Sequence, residues 1–212
     1  MVNSQANRME SFKEYLMEEN KLGRLSIFDI DDTLFHTTAM ISVVKDGKVV
    51  KKLTNKQFNT YVLNHGEDFD FSEFRDSEKF YKESKPIARM MDRARAILSH
   101  SAKNPLSKVI VVTARANFNN KEKFLDTFRK HRFDIDKVRV ERAGNITDIN
   151  SAAEKKFIII HNYLTSGQFD RVSLFDDAMS NLTKFLELKK LFPTIKFEAY
   201  FVSSDGSIKL LK

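Results

Sequence analysis

Short and nearly unbroken apolar runs alternate with longer amphipathic stretches along most of this chain. Strands that are buried on both faces carry apolar side chains at successive positions, and parallel strands are usually buried in this way. The alternation therefore predicts a doubly wound α/β fold with a parallel sheet between helices. The predicted strands are Leu25–Phe28, Val109–Val112, Val138–Val140, Val172–Phe175 and Ala199–Val202. The predicted helices are Lys85–His100, Asn120–Lys130, Ala152–Leu164 and Met179–Leu191.

An insertion interrupts the alternation after the first strand, since about eighty residues separate that strand from the second. Within the insertion, Ile41–Val44 and Val49–Leu53 flank Asp46 and Gly47, a dipeptide typical of two-residue hairpin turns. Residues 38–82 are therefore predicted to form a hairpin flap and a small cap.

The whole chain, residues 1–212, is predicted to be one domain, because no linker rich in Gly, Pro or Ser interrupts it. Aromatic residues between Phe58 and Tyr81 are expected to form the cap's own core, and stacking on nucleic-acid bases is the alternative. An amphipathic helix is predicted before the first strand, where four apolar residues recur at helical spacing. These residues are Met9, Phe12, Tyr15 and Leu16.

Composition removes several classes of function. The chain has no Cys, which excludes disulfides, thiolate zinc sites and cysteine nucleophiles. It has no apolar run long enough to span a membrane and no secretory signal pattern, so no membrane contact and a cytoplasmic location are expected. The 36 Lys and Arg exceed the 29 Asp and Glu, giving a formal charge of +7. This excess favours either a polyanionic partner or simply a well-solvated surface.

An acidic cluster follows the first predicted strand. Asp29, Asp31 and Asp32 lie within four positions, where like charges repel and buried carboxylates need partners. A Mg²⁺ ion would resolve the conflict, because it prefers oxygen ligands. Asp29 and Asp31 could also reach one substrate, one as nucleophile and the other as general acid and base. The alternative is a polar turn whose carboxylates cap the next helix.

Polar residues also follow the other strands. Thr113 and Arg115 come after the second strand, and a hydroxyl and a guanidinium are suited to phosphate oxygens. Asp176 and Asp177 end the fourth strand and supply further metal ligands, with Asn181 one helical turn later. A lysine near the start of the preceding helix could neutralise a carboxylate nucleophile and an incoming phosphate together. Two adjacent lysines stand there, Lys155 and Lys156.

Four segments, FDIDDTL, VVTAR, KKFIII and LFDDAMSN, occur in this order between Ser26 and Leu182. Together they resemble the four motifs of the haloacid dehalogenase (HAD) superfamily of phosphatases, and are similar to those of small phage-type members and polynucleotide phosphatase domains. The resemblance implies a HAD-like, Rossmann-like sheet, Mg²⁺ as cofactor and a phosphorylated substrate. It does not imply an oligomeric state.

The resemblance also implies a role for each matching residue. Asp29 would attack phosphorus to form an aspartyl-phosphate, and Asp31 would act as general acid and base. Thr113 would bind the phosphoryl oxygens, and Lys156, rather than Lys155, would stabilise the phosphorylated aspartate. The expected metal ligands are Asp29, Asp31 (through its carbonyl) and Asp177, supported by Asp176 and Asn181. The expected substrate contacts are Thr33 and Arg115.

Substrate choice in this superfamily lies in the insertion. Lysines on the hairpin favour a phosphorylated nucleic-acid end, such as a 3′-phosphate, or a nucleotide. The acidic residues between Glu67 and Asp76 argue against a uniformly basic groove. A catalytically idle HAD-type fold that only binds a partner is the alternative, although a binder would not need all the catalytic residue types.

Overall fold

A six-stranded, mostly parallel sheet organises this α/β protein in a computed structural model that describes residues 22–58, 60–147, 149 and 151–211. The helix predicted around Met9 to Leu16 lies outside these residues. The strands are β1 (Gly23–Phe28), β2 (Phe35–His36), β3 (Ile41–Lys45), β4 (Lys48–Leu53), β5 (Glu67–Asp70), β6 (Lys85–Pro86), β7 (Lys108–Thr113), β8 (Arg139–Arg142), β9 (Phe169–Asp176), β10 (Lys196–Val202) and β11 (Ile208–Leu210). The helices are α1 (Asn55–Phe58), α2 (Ser77–Glu83), α3 (Ala88–Ser101), α4 (Lys121–Arg129), α5 (Ala152–Leu164) and α6 (Met179–Glu187).

The strand order in the main sheet is β11-β10-β9-β1-β7-β8. Four neighbouring pairs are parallel, and β11 pairs antiparallel with β10. The carboxyl ends of β1, β7, β8, β9 and β10 therefore meet at one edge, called the carboxyl edge below. The polar residues that follow β1, β7 and β9 in the sequence are brought together there.

Helices cover both faces of this sheet because successive side chains of a strand point to opposite faces. On one face, α3 and α4 pack on β1 and β7 in a core that includes Phe28, Val111, Met90, Phe124 and Phe128. On the other face, α5 packs on β7 and α6 packs on β9 and β10, in a core that includes Ile27, Val112, Ile160, Leu182 and Phe185. Among the described residues, no helix is long and apolar enough to cross a membrane.

Most predicted elements are found, with differences at their ends. The sequence did not predict β11, and the predicted helix Lys85–His100 begins only at Ala88. Pro86 explains this later start, because a proline disfavours helical backbone at the residue before it. Lys85 and Pro86 instead pair with His36 and Phe35 as a two-residue ladder.

The insertion forms a second, three-stranded antiparallel sheet in the order β4-β3-β5. Its hairpin turn has φ of 49° at Asp46 and 72° at Gly47, which is the left-handed backbone that such turns require. Phe58, Tyr61 and Phe69 pack against the buried residues of this sheet, as expected for a cap with its own core. Phe80 differs, since its side chain is part of the main core.

Candidate active site

Asp29 and Asp31 lie at the carboxyl edge, directly after β1. The Asp29 N–H donates to the Phe175 carbonyl of β9 across 3.0 Å, which holds the two strand ends side by side. The chain then turns tightly through Asp32, whose φ of 57° is uncommon for a residue other than glycine. His36 Nδ1 lies 3.4 Å from an Asp32 carboxylate oxygen, so this third acidic residue is engaged on the partly exposed side of the turn.

A buried lysine joins the ends of β1 and β9. The Lys156 Nζ donates to Asp29 Oδ1 across 2.7 Å and to Asp176 Oδ2 across 2.8 Å. Ser151 caps the start of α5, and the buried side of this helix carries Lys156 toward the sheet, where the residue is 2% exposed. Lys155 is half-buried and forms no ion pair with any described residue. The structure thus brings Lys156, and not Lys155, to the two carboxylates.

Asp176 is held by several donors at once. Asn181 Nδ2 lies 2.9 Å from its Oδ1 and 3.0 Å from its Oδ2, and the Ala178 N–H donates to Oδ1 across 2.9 Å. Lys156 adds a third donor, and Asp176 is completely buried. Asn181 therefore acts at this site by fixing the orientation of the Asp176 carboxylate.

The charges at this site do not balance. Burial raises the pKa of Asp29 well above its usual range; Lys156 opposes this rise, and the charges of Asp176 and Asp177 add to it. Burial and the Asp176 charge likewise raise the pKa of Asp177 to about 7. Burial opposes protonation of Lys156, but the flanking carboxylates raise its pKa, so it stays charged. One lysine is thus shared among carboxylates that together carry more charge than it neutralises.

These carboxylates fit a divalent cation. One oxygen each from Asp29, Asp176 and Asp177 lies within 4.8 Å of the other two. Asp177 accepts one long hydrogen bond of 3.5 Å from Thr33 Oγ1 and is less engaged than Asp176. Mg²⁺ favours such oxygen ligands, and a cation would stabilise the charged carboxylates whose pKa values burial raises. Within the described part of the chain, Asp29 and Asp177 each keep a carboxylate oxygen that is free to hold it.

Asp31 is held in a separate network. Arg115 Nε and Nη2 donate to its two carboxylate oxygens across 2.9 Å and 2.6 Å, and Thr37 Oγ1 donates to Oδ1 across 2.7 Å. Although burial opposes it, Arg115 and then Thr37 hold the pKa of Asp31 below its usual range. The sequence predicts Arg115 as a phosphate ligand, whereas the structure directs its guanidinium to Asp31. Sequence reasoning missed Thr37, because it lies between the end of the first motif at Leu34 and the start of the flap at residue 38.

Two predicted substrate-binding hydroxyls are buried at the same edge. Thr33 is fully buried and donates to Asp177, so in this structure it orients a carboxylate. Thr113 ends β7, also fully buried, and its Oγ1 accepts from the Arg115 N–H across 3.1 Å. Both hydroxyls therefore support the loops that carry charged residues.

No protein-family model matches this chain, and no curated protein matches it. Chemistry at the carboxyl edge is therefore inferred from geometry. The structure brings a buried lysine of α5 to a cluster of three carboxylates at the ends of β1 and β9, beside a fourth carboxylate that is held by an arginine.

Proposed function

We propose that this protein is a Mg²⁺-dependent phosphohydrolase of the HAD type, which forms an aspartyl-phosphate on Asp29. The observation that carries the proposal is the buried Lys156, which contacts Asp29 and Asp176 at the carboxyl edge. A carboxylate and a phosphate dianion repel each other, so attack needs a fixed positive charge beside the nucleophile. A structural ion pair would not need the additional carboxylates of Asp31 and Asp177 at the same edge.

Two chemical steps follow from this arrangement. An Asp29 oxygen attacks phosphorus, the bond from phosphorus to the ester oxygen breaks, and Asp31 donates a proton to that oxygen. Water then attacks phosphorus, Asp31 takes a proton from the water, and inorganic phosphate leaves as the Asp29 carboxylate is restored. Lys156 stabilises the charge on the equatorial oxygens in both steps. Mg²⁺, when bound, neutralises part of the charge on the phosphate and the carboxylates.

The pairing with Arg115 suits the second step, since an ionised Asp31 is ready to accept a proton. The first step needs the protonated form. A phosphate dianion bound next to Asp29 raises the pKa of Asp31 by like-charge repulsion, and thus opposes the effect of Arg115. Substrate binding therefore favours the form of Asp31 that the first step uses.

The flap gives limited support for a nucleic-acid substrate. Lys52 contacts Glu73 across 2.7 Å, and Lys51 lies 4.7 Å from the centre of the Tyr61 ring, so part of the flap's positive charge is used internally. Lys48 is exposed on β4 and forms no ion pair within the described part of the chain. We therefore propose phosphate monoesters as the substrate class, with phosphorylated nucleic-acid ends and nucleotides as the first to be compared.

Hydrolysis of p-nitrophenyl phosphate with Mg²⁺ tests the activity. Asp29→Asn is expected to lower kcat by at least about 10³-fold, because it removes the nucleophile. Asp32→Asn is the matched control, since it alters a carboxylate of the same turn and asparagine tolerates the left-handed backbone. Equal rates for wild type and Asp29→Asn would refute the proposed phosphohydrolase activity. The alternative, a catalytically idle fold that only binds a partner, would then remain.

A second assay compares substrates. Oligonucleotides with a 3′-phosphate, oligonucleotides with a 5′-phosphate and free nucleotides are each incubated with the enzyme, and released phosphate is measured. Preference for one type of oligonucleotide end would support the nucleic-acid proposal. Hydrolysis of free nucleotides alone would refute the nucleic-acid proposal but would still support the phosphohydrolase activity.

A further inference from the structure

An arginine connects the carboxyl edge to the insertion. Besides its two bonds to Asp31, Arg115 donates from Nη1 to the Phe74 carbonyl across 3.0 Å. The centre of its guanidinium lies 5.1 Å from the centroid of the Phe74 ring and 4.6 Å from that of the Phe80 ring. Its side chain is 1% exposed. Arg115, Asp31, Phe74 and Phe80 are together called the Arg115 clasp.

The Arg115 clasp fixes one carboxylate in one orientation. The planar guanidinium matches the two carboxylate oxygens of Asp31, and the aromatic rings favour the cation between them. Thr37 adds a third donor to the same carboxylate. Proton transfer requires the transferring group to stay within hydrogen-bond reach of the reacting oxygen, and a free side chain would move among rotamers. An arginine already paired in this way is poorly placed to contact phosphate.

We propose that Arg115 is a positioning residue, which holds the Asp31 carboxylate where it exchanges protons with the leaving oxygen and with water. The insertion sets the position and orientation of the guanidinium through its contacts with Phe74. This inference rests on the proposed function, because it takes Asp31 as the proton-transfer group. It replaces the phosphate contact that the sequence predicts for Arg115 with a role exerted through Asp31.

The test compares two esters of similar shape, p-nitrophenyl phosphate and phenyl phosphate. The p-nitrophenolate leaves readily without a proton, whereas the more basic phenolate depends on a general acid. Arg115→Lys keeps the charge but loses the two-point contact, and Thr37→Val removes one hydrogen bond with little change in volume. For Arg115→Lys we expect kcat/KM on phenyl phosphate to fall about 10-fold more than on p-nitrophenyl phosphate, with KM little changed. Thr37→Val should change the ratio in the same direction by about 3-fold.

The control is Arg75→Lys, because Arg75 donates to the Asn117 carbonyl of a nearby loop and not to Asp31. It should leave the ratio of the two kcat/KM values unchanged. In an Asp31→Asn background, Arg115→Lys should add less than about 2-fold, since no acid remains to be positioned. Thermal unfolding of each variant measures loss of folded protein separately, and Thr37→Val carries the test if Arg115→Lys does not fold.

Each contrary result has a distinct meaning. Equal losses on both esters, a rise in KM alone, or additive losses in the double variant would overturn the positioning role of Arg115 while leaving the phosphohydrolase in place. If the wild type hydrolyses neither ester with Mg²⁺, the proposed function fails and this inference fails with it.

Discussion

Replacement of Lys156 by methionine gives the sharpest test of the site. Lys156 is 2% exposed, and its Nζ lies 2.7 Å from Asp29 and 2.8 Å from Asp176. Methionine has a similar length but no charge, so Lys156→Met removes both ionic hydrogen bonds with little change in packing volume. Two buried carboxylates then lose their only shared cation among the described residues.

The expected cost follows from this burial. Removing one partner of a buried ion pair costs about 3–5 kcal/mol, because the remaining charge is left uncompensated. Protonation of the carboxylates offsets part of the loss, and burial raises the pKa of Asp29 even with Lys156 present. We therefore expect the free energy of unfolding to fall by about 3 kcal/mol at pH 7.

The pH dependence has a defined sign. Because Lys156 opposes the rise of the Asp29 pKa, its removal raises that pKa further, so the folded variant binds more protons at Asp29 than folded wild type and gains more stability as the pH falls. For one extra proton this recovery is at most about 1.4 kcal/mol per pH unit. The difference in free energy of unfolding between wild type and Lys156→Met should therefore become smaller as the pH falls from 7 to 5.

Urea unfolding at both pH values, with EDTA present to remove divalent cations, measures these differences. Lys155→Met is the matched control, since Lys155 is the adjacent half-buried residue and should change stability by no more than about 0.5 kcal/mol. Lys156→Met should also abolish hydrolysis of p-nitrophenyl phosphate, whereas Lys155→Met should retain it. Equal destabilisation by the two substitutions, or a deficit that widens at pH 5, would refute the role of Lys156.

Three other substitutions have defined outcomes. Mg²⁺ should raise the Tm of wild type and not that of Asp177→Asn, and equal shifts would contradict the metal site. Although partial burial opposes it, hydrogen bonds from Lys52 and other donors lower the pKa of Glu73 from 4.5 to about 2. The stability that the ionised Glu73 contributes is therefore present above pH 4.5 and is lost as the pH falls toward 2. In urea unfolding, Glu73→Gln should lower the free energy of unfolding by about 1 kcal/mol at pH 7 and by little at pH 2. A Cβ at Gly144 would lie 2.4 Å from the Ala114 carbonyl oxygen. Gly144→Ala should therefore lower the free energy of unfolding by about 2 kcal/mol, and should lower kcat/KM by displacing the loop beside the site. An unchanged free energy of unfolding and an unchanged kcat/KM would contradict this close approach.

The central sheet was the most predictable feature, and the insertion the least. Buried parallel strands require continuous apolar runs, so β1, β7, β9 and β10 are visible in the sequence. The acidic segment Glu67–Asp70 gives no such signal, yet it forms β5 against β3. Pairing with an existing hairpin, rather than intrinsic preference, decides this strand.

The choice between Lys155 and Lys156 shows the limit of pattern reasoning on a helix. Adjacent residues on a helix point about 100° apart, so one of them faces the sheet and the other does not. The run Phe157–Ile160 is apolar at every position, which hides the phase of the buried face. Packing of α5 on the sheet resolves it, because Ala153, Lys156, Ile160 and Leu164 are the buried residues.

By itself, the sequence determined where the acidic groups gather. The carboxyl ends of parallel strands share one edge, so residues such as Asp29 and Asp177 meet whatever the details of packing. Only the tertiary structure decided which basic side chain pairs with each carboxylate. Lys156 reaches Asp29 because α5 packs on one face, and Arg115 reaches Asp31 because the insertion places Phe74 against its guanidinium. The two members of each ion pair lie far apart along the chain. Their pairing depends on distance and burial in the folded protein, and a local pattern of residues does not predict either.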